Sequence, residues 1–317
     1  INEGLTSMSV MATFLTNRAS IYTDNNGSAL ASDADDWDIH TTPLNAYIND
    51  DYWMDNGIES YDETTGTRTY TFTKNTKILQ KKYSESIQSY SSDPTSKAIF
   101  NLNGHDLYVG GVGREFCGID LDGDDGHLDV EILNPGALTF ETDVPNNRPG
   151  DLEGMINVGG DLNFHIYNDN DASVVKVNVG PHAGKLENHA VKATGGTMVV
   201  DGLMEINNFK NAFKMVDKNA TISIGGGKVS NVKNLIDTDS TATNATLNFD
   251  VKTDNKGNVT GAGSRYAMLE GDINNQGTGS TFNIGLGTAD SYWKGTAINS
   301  GDALNLYMAN GSTWTNT

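Results

Sequence analysis

The sequence predicts an all-β fold: a right-handed parallel β-helix with three strands per coil and about 23–25 residues per coil. Two observations predict it. Short runs of alternating apolar and polar residues recur after residue 96, and each run is closed by Gly, Asn or Asp. Turn-forming residues are dense, with 35 Gly against 6 Pro, which is typical of many short strands.

The recurring runs are separated by one coil. A period of 20–25 residues that contains strands indicates a solenoid, in which each repeat packs on its neighbours. The spacing recurs in four pairs of positions: Leu138 and Leu162 (24 residues), Thr197 and Thr221 (24), Thr221 and Thr246 (25), and Phe282 and Asn305 (23).

A second motif repeats in phase with these strands. Ile206–Asn211 (INNFKN) and Val229–Asn234 (VSNVKN) share a pattern at an offset of 23 residues. One interval is longer, because Thr246 and Thr281 are 35 residues apart, and it predicts an insertion at the polar stretch Thr253–Ser264. We expect Val, Ile, Leu, Met and Phe to face inward, and Asn and Thr to stack in ladders near the turns.

Two other folds share some of these features. Leucine-rich repeats have a similar length, but their leucine and asparagine consensus and helical side are missing here. A sandwich or barrel of irregular short strands is the remaining alternative.

The chain divides into two regions of different texture. Residues 1–95 form an irregular, acidic region, predicted to be a cap with a short helix and a hairpin, and residues 96–317 form the solenoid. The helix is predicted from the apolar face between Met8 and Ala19, and a strand from the alternation over Thr67–Phe72.

The N-terminal region also carries aromatic residues suited to contacting a partner. Tyr and Trp combine a large apolar surface with a polar group, and they are frequent at binding sites. The candidate binding residues are Trp37, Tyr52, Trp53 and Tyr61, although the same residues are equally suited to form the core of the cap.

The net charge of −20 restricts the partners. An anionic surface repels phosphate backbones and anionic lipids, so we expect neither nucleic-acid binding nor direct membrane insertion. Cys117 is the only cysteine, so an intrachain disulfide is excluded.

One acidic segment has the spacing of a calcium loop. Asp120, Asp122 and Asp124 alternate along the chain, and Glu131 follows at a distance suited to closing an oxygen shell. The glycine expected at the sixth position is replaced by Asp125. The alternative is a solvated acidic loop between coils.

No catalytic motif is recognisable, and we expect a protein that is not an enzyme. The nucleophile elbow Gly-x-Ser-x-Gly is missing, and so is the paired-carboxylate series of β-helix polygalacturonases. His105, His127, His165, His182 and His189 show no metal-ligand spacing and are interpreted as surface or coil residues.

The C-terminal stretch resembles the coils of autotransporter passenger domains. The resemblance is carried by Ser291–Thr296 (SYWKGT) and Asp302–Thr315 (DALNLYMANGSTWT). It implies an adhesive, virulence-associated protein of the bacterial outer surface. A C-terminal translocator, absent after Trp314, would anchor it. The implied partners are a host surface protein or glycan, or another copy of the chain on a neighbouring cell, as in biofilm.

Three functions follow from these observations. An adhesin that binds through a rigid β-helix face is favoured. The alternatives are a β-helix polysaccharide lyase or hydrolase that uses the acidic cluster at Asp120–Asp125, and a purely structural stalk.

Overall fold

The computed structural model describes residues 57–80, 97–111, 119–121, 129–142, 154–179, 189–299 and 302–317. These residues form β-strands joined by turns, and none of them lies in a helix. Consequently they include no helix with the length and apolar character needed to cross a membrane. The helix predicted between Met8 and Ala19 lies outside the described residues.

The described residues form 24 strands. In chain order they are β1 (Gly57–Asp62), β2 (Thr67–Phe72), β3 (Thr76–Gln80), β4 (Lys97–Asn101), β5 (Leu107–Gly111), β6 (Ile119–Leu121), β7 (Asp129–Leu133), β8 (Leu138–Thr142), β9 (Gly154–Val158), β10 (Asn163–Tyr167), β11 (Val175–Val179), β12 (His189–Ala193), β13 (Thr197–Met215), β14 (Thr221–Thr238), β15 (Thr246–Phe249), β16 (Val251–Thr253), β17 (Val259–Ala262), β18 (Ala267–Glu270), β19 (Asp272–Asn275), β20 (Thr281–Leu286), β21 (Tyr292–Lys294), β22 (Ala297–Asn299), β23 (Ala303–Met308) and β24 (Thr313–Thr315).

The strands stack in three parallel ladders, which confirms the predicted β-helix. Face A comprises β2, β4, β7, β10, the first part of β13 and of β14, β15, β20 and β23. Face B comprises β3, β5, β8, β11, the middle of β13 and of β14, β18, β21 and β24. Face C comprises β6, β9, β12, the last part of β13 and of β14, β19 and β22.

Inward-facing apolar side chains form continuous columns through the coils. Side chains alternate between core and solvent along each strand, so every second residue of a face is buried. Residues paired in register then bury one another from coil to coil. One column on face A contains Tyr70, Phe100, Ile132, Ile166, Val200, Ile224, Phe249 and Ile284.

The predicted coil spacing holds in the middle of the chain. Thr221 pairs with Thr197 on one side and with Thr246 on the other, and Ile206 pairs with Val229, as the sequence predicts. Thr246 also pairs with Thr281, which confirms the longer interval.

Two predicted equivalences are wrong. Leu138 lies on face B, where it pairs with Val175, whereas Leu162 precedes a face A strand. Near the C-terminus, Phe282 pairs with Leu304, one residue before the predicted partner. Coils before Thr197 are longer than the predicted period, since the hydrogen-bonded pair Asp129 and Asn163 is separated by 34 residues. The spacing between Leu138 and Leu162 is therefore a coincidence.

The predicted insertion is a β-hairpin. Strands β16 and β17 pair antiparallel, and Asp254 accepts backbone hydrogen bonds from Lys256 (2.8 Å) and Asn258 (2.9 Å) at the turn. Gly257 supplies the positive φ of 81° that the tight turn requires. Strand β17 packs over β20 and β23, so the hairpin lies across the C-terminal part of face A.

A second antiparallel strand covers the edge of face A before β2. Strand β1 pairs with β2 from Gly57 to Asp62, on the edge that faces away from β4. Asp62 closes the intervening turn by accepting a hydrogen bond from the Thr64 backbone amide (2.9 Å). An unpaired strand edge is a template for pairing with another chain, and β1 covers this edge of β2.

Polar side chains also stack from coil to coil, and one ladder lies within the strands of face A rather than near the turns, where the sequence predicts such ladders. On face A, Asn305 donates to Asn283 (2.9 Å), Asn283 to Asn248 (2.8 Å), and Asn248 to Ser223 (3.2 Å). Each amide donates toward the preceding coil, so the hydrogen bonds of this ladder all run in one direction.

A second ladder is buried at the corner between faces B and C. Asn234 donates to Asn211 (2.7 Å), whose amide nitrogen lies 2.9 Å from His189 Nδ1. His189 is 6% exposed. Because the amide nitrogen donates, Nδ1 must accept, so the imidazole is neutral with its proton on Nε2. Burial, followed by the positive charges of Lys214 and Lys192, lowers the pKa of His189 to about 4.

Arg265 joins coils that are not neighbours. This residue follows the hairpin, and its Nε donates to the Asp171 carboxylate (2.6 Å). Its two terminal nitrogens donate to the backbone carbonyls of Asp169 (3.1 Å) and Asp201 (3.0 Å). Asp250, which is buried beside it, accepts a hydrogen bond from the Arg265 backbone amide (3.1 Å).

Removal of a core side chain should destabilise the solenoid. Phe213 is fully buried in face C, so Phe213→Ala leaves a cavity and should lower the free energy of unfolding by about 3–5 kcal/mol in urea denaturation. Val199→Ala, at an outward position of the same strand, should cost less than about 1 kcal/mol. Equal losses in both variants would contradict the assignment of inward and outward positions.

Protonation of His189 should destabilise the fold. The pKa of His189 is lower in the folded than in the unfolded chain, so stability is complete above pH 6.5 and is lost as the pH falls toward 4. His189→Gln keeps an acceptor for Asn211 but removes the titration. Between pH 7 and pH 5, the free energy of unfolding should fall by about 2 kcal/mol more in the parent chain than in the variant.

Burial raises the pKa of Asp250 to about 6, which acts in the opposite direction: protonation of this carboxyl favours the folded state as the pH falls. Both proteins contain Asp250, so its contribution cancels in the comparison. The same pH dependence in parent and variant would show that His189 does not titrate in this way.

Candidate binding face

A cluster of charged and aromatic side chains lies on the outer surface of face A. We call it the face A cluster; it comprises Lys97, Glu131, His165, Tyr167 and Asp201. They come from β4, β7, β10 and the irregular part of β13 between Val200 and Leu203, and these strands are consecutive in the ladder. The inward neighbours of these residues are buried apolar side chains, so the alternation of each strand directs the cluster to solvent.

The first contact of the cluster is an ion pair between adjacent coils. Lys97 Nζ contacts Glu131 Oε1, and both side chains are partly exposed. Beside them, Asp129 accepts hydrogen bonds from the backbone amide of Asn163 (2.8 Å) and from its side-chain amide (3.3 Å). These contacts fix the beginning of β10 against β7.

The second contact is a stacked pair of rings. The rings of His165 and Tyr167 have centroids 3.6 Å apart and planes inclined by 20°. His165 Nε2 lies 2.9 Å from Asp201 Oδ1 in the following coil. Because His165 is held on two sides, it supports the Tyr167 ring, which remains 38% exposed.

The Tyr167 hydroxyl responds to the same neighbours. Partial burial raises the pKa of Tyr167, and the negative charges of Glu131 and Asp201 raise it further, while Lys97 opposes them. The phenol therefore stays protonated at neutral pH and remains a hydrogen-bond donor as well as an acceptor.

This arrangement is suited to holding a polar ligand with an apolar face. An exposed tyrosine ring offers flat contact area, and the surrounding carboxylates, ammonium and imidazole offer hydrogen bonds. The cluster also contains acid–base groups, since a histidine paired with a carboxylate lies beside a phenol. No group of three or more His, Cys, Asp or Glu side chains in the described ranges is arranged to hold a metal ion.

Tyr61 lies apart from this cluster. It sits on β1 opposite Arg68, whose guanidinium carbon is 4.8 Å from the centre of the tyrosine ring. Arg68 pairs in register with Ala98, which is buried and faces inward. The pair therefore lies over the first coil of the core rather than on the outer surface of face A. Trp37, Tyr52 and Trp53 lie outside the described residues, so their binding role stays a prediction.

The structure separates two of the residues predicted to bind calcium. Asp120 lies on face C, opposite Asn157, whereas Glu131 lies on face A and pairs with Lys97. Asp122 and Asp124 lie outside the described residues. Calcium binding by this acidic segment stays a prediction.

Sequence reasoning missed most of the face A cluster. His165 is predicted to be a surface or coil residue, which agrees with its outward position but gives it no binding role, and the sequence patterns assign no role to Tyr167 and Asp201. A usable signal was present, since His165 and Tyr167 alternate with the buried Phe164 and Ile166 and must therefore share the outer surface. Their coil-to-coil neighbours required the register, which the variable coil length conceals.

In comparison with known proteins, the chain matches no protein family model, no curated protein and no solved structure.

The position of Glu131 can be tested through the ionisation of Tyr167. Glu131→Gln removes a negative charge that disfavours the phenolate, so the pKa of Tyr167 should fall. The pKa can be followed by NMR of ring-labelled tyrosine, with Tyr167→Phe to assign the signal. The control is Glu141→Gln. The Glu141 carboxylate accepts a hydrogen bond from the Tyr108 hydroxyl (3.0 Å) instead, so this substitution should leave the pKa of Tyr167 unchanged. If the pKa of Tyr167 did not change in Glu131→Gln, the Glu131 carboxylate would not lie close enough to Tyr167 to affect its ionisation.

Proposed function

We propose that this chain is the adhesive rod of a bacterial cell-surface protein, an autotransporter passenger, and that it binds glycans through the face A cluster. The observation that carries the proposal is the exposed Tyr167 ring, backed by His165 and bordered by Glu131 and Asp201. Sugar rings present apolar C–H faces and polar hydroxyl edges, and this surface offers a partner for each.

The rigidity of the solenoid supports a binding role. The candidate groups are attached to strands whose inward neighbours are buried and whose register is fixed by parallel pairing. A surface that is ordered before binding loses little conformational entropy when the ligand arrives. The solenoid also presents its outer face over many coils, which suits several weak contacts along one extended ligand.

The surface location rests on the C-terminal resemblance. The SYWKGT and DALNLYMANGSTWT segments form β21 and β23–β24, and Trp293 stacks on Trp314 with ring centroids 5.4 Å apart. A stacked tryptophan in consecutive coils is consistent with the coil pattern of autotransporter passengers. Export to the cell surface would place the face A cluster where host or bacterial glycans are available.

A polysaccharide-active enzyme is the second candidate. The pairing of His165 with Asp201, next to the Tyr167 hydroxyl, provides groups that could exchange protons with a bound sugar. The two functions predict different results with uronate-rich polysaccharides. An enzyme releases shorter or unsaturated products from them, whereas an adhesin binds the polysaccharides without cleaving them.

Binding should depend on Tyr167. On a glycan array, the parent chain should bind a defined set of glycans, and Tyr167→Ala should weaken binding by about tenfold or more, because aromatic anchors commonly contribute more than 1 kcal/mol. The matched control is Tyr292→Ala, which removes another outward tyrosine, covered by the ammonium of Lys294 at 4.5 Å from its ring centre.

Three results would decide between the candidates. Loss of binding in Tyr167→Ala alone supports the adhesin, and equal loss in both variants contradicts a site at the face A cluster. Product release from a uronate-rich polysaccharide that disappears in His165→Ala would replace the adhesin with the enzyme.

A further inference from the structure

The repeated motif of Ile206–Asn211 and Val229–Asn234 stacks at the corner between faces B and C. Phe209 pairs with Val232 on one side of the corner, and Asn211 pairs with Asn234 on the other. Lys210 and Lys233 therefore occupy the same position in adjacent coils, and both side chains are exposed. We call these two residues the lysine corner.

The backbone that carries the lysine corner is held from both sides. Asn208 and Asn231 adopt positive φ angles of 73° and 53°, and the Asn231 side chain donates to Asn208 Oδ1 (2.9 Å). On the core side, Asn234 donates to the buried Asn211 (2.7 Å). The backbone of the lysine corner is therefore ordered, and its two lysine side chains extend from adjacent coils, whose strands are about 4.8 Å apart.

Glu270 of the following coil lies beside the lysine corner, where it accepts a hydrogen bond from the Asn231 backbone amide (3.3 Å) and pairs with Lys294 (4.0 Å). Among the described residues, neither Lys210 nor Lys233 forms an ion pair, whereas Lys214 on face C contacts Asp237 at 2.6 Å. Like charges at neighbouring positions of adjacent strands repel each other, so the two ammonium groups raise the local positive potential. Lys192, which pairs in register with Lys214, adds a further positive charge nearby.

The surrounding sequence is basic within an acidic chain. Residues 189–238 contain six lysines and four carboxylates, whereas the whole chain has a net charge of −20. The positive charges of Lys214, Lys192 and Lys210 also contribute, after burial, to lowering the pKa of His189, while the negative charge of Asp237 opposes them.

We propose that the lysine corner binds an anionic polysaccharide through its sulfate or carboxylate groups. A flexible polyanion carries charged groups in series, and it can present them to two ammonium groups one coil apart. It can also contact the corner without placing a second highly acidic surface alongside, as another copy of this chain would. The site lies on a different edge of the solenoid from the face A cluster, and its ligand is recognised by charge rather than by stacking on Tyr167.

The probe is dextran sulfate, and uncharged dextran of the same length is the reference polymer. With immobilised polymer at low ionic strength, the parent chain should bind dextran sulfate but not dextran. The double variant Lys210→Gln/Lys233→Gln should bind about tenfold more weakly, because two exposed ion pairs are lost. Lys210→Arg/Lys233→Arg keeps both charges and should stay within about threefold of the parent chain.

The matched control is Lys228→Gln, which removes an exposed face B lysine that forms no ion pair with any described residue, and it should change binding by less than twofold. Tyr167→Ala should leave dextran sulfate binding unchanged, so this experiment and the glycan array can fail independently. Circular dichroism and the urea midpoint should match between the parent chain and the glutamine double variant.

Three outcomes would overturn the proposal. The first is failure of the parent chain to bind dextran sulfate. The second is an equal loss in Lys228→Gln, which would indicate diffuse attraction rather than a site. The third is unchanged polymer binding in the double variant together with reduced concentration-dependent association in sedimentation, which would assign the lysine corner to contact between copies.

Discussion

Parallel, in-register stacking is the constraint on which the rest of this molecule depends. No single coil encloses a core, because the inward side chains of one coil are covered by the same positions in the coils before and after it. Register therefore decides which residues meet. Shifting a strand by one residue would bring its outward polar side chains into the core, so burial of one face specifies the register strongly.

The same stacking builds both candidate sites from residues that are distant in sequence. Lys97 meets Glu131 and His165 meets Asp201 only because their strands are neighbours in the ladder of face A. The lysine corner arises in the same way from two copies of one motif. A solenoid can thus place chemically different surfaces on separate edges, one aromatic and hydrogen-bonding, the other cationic, while both use one core.

Where the coils are short, sequence periodicity alone was sufficient to predict which strands pair. Thr221 could be aligned with both of its neighbours, and the hairpin insertion could be located, because strands and corners follow each other closely here and the hairpin is one long interval among regular ones. Before Thr197 the number of residues between consecutive strands varies, so spacing alone aligned Leu138 with the wrong face. Four of the five residues of the face A cluster lie in this part of the chain, so its composition could not be predicted until the strands were aligned by their hydrogen bonds.

Arg265 affects the order in which the coils of this solenoid can separate when the chain unfolds or is pulled. Most side-chain hydrogen bonds join neighbouring coils, whereas Arg265 bonds Asp171 across 94 residues and Asp169 across 96. A stack of nearest-neighbour units can lose coils one at a time, because each interface breaks separately. The guanidinium spans several interfaces, so a pull that peels coils past the hairpin must detach it before the intervening coils can separate. The middle of the rod therefore behaves as one mechanical unit, with coils that unravel singly on either side of it.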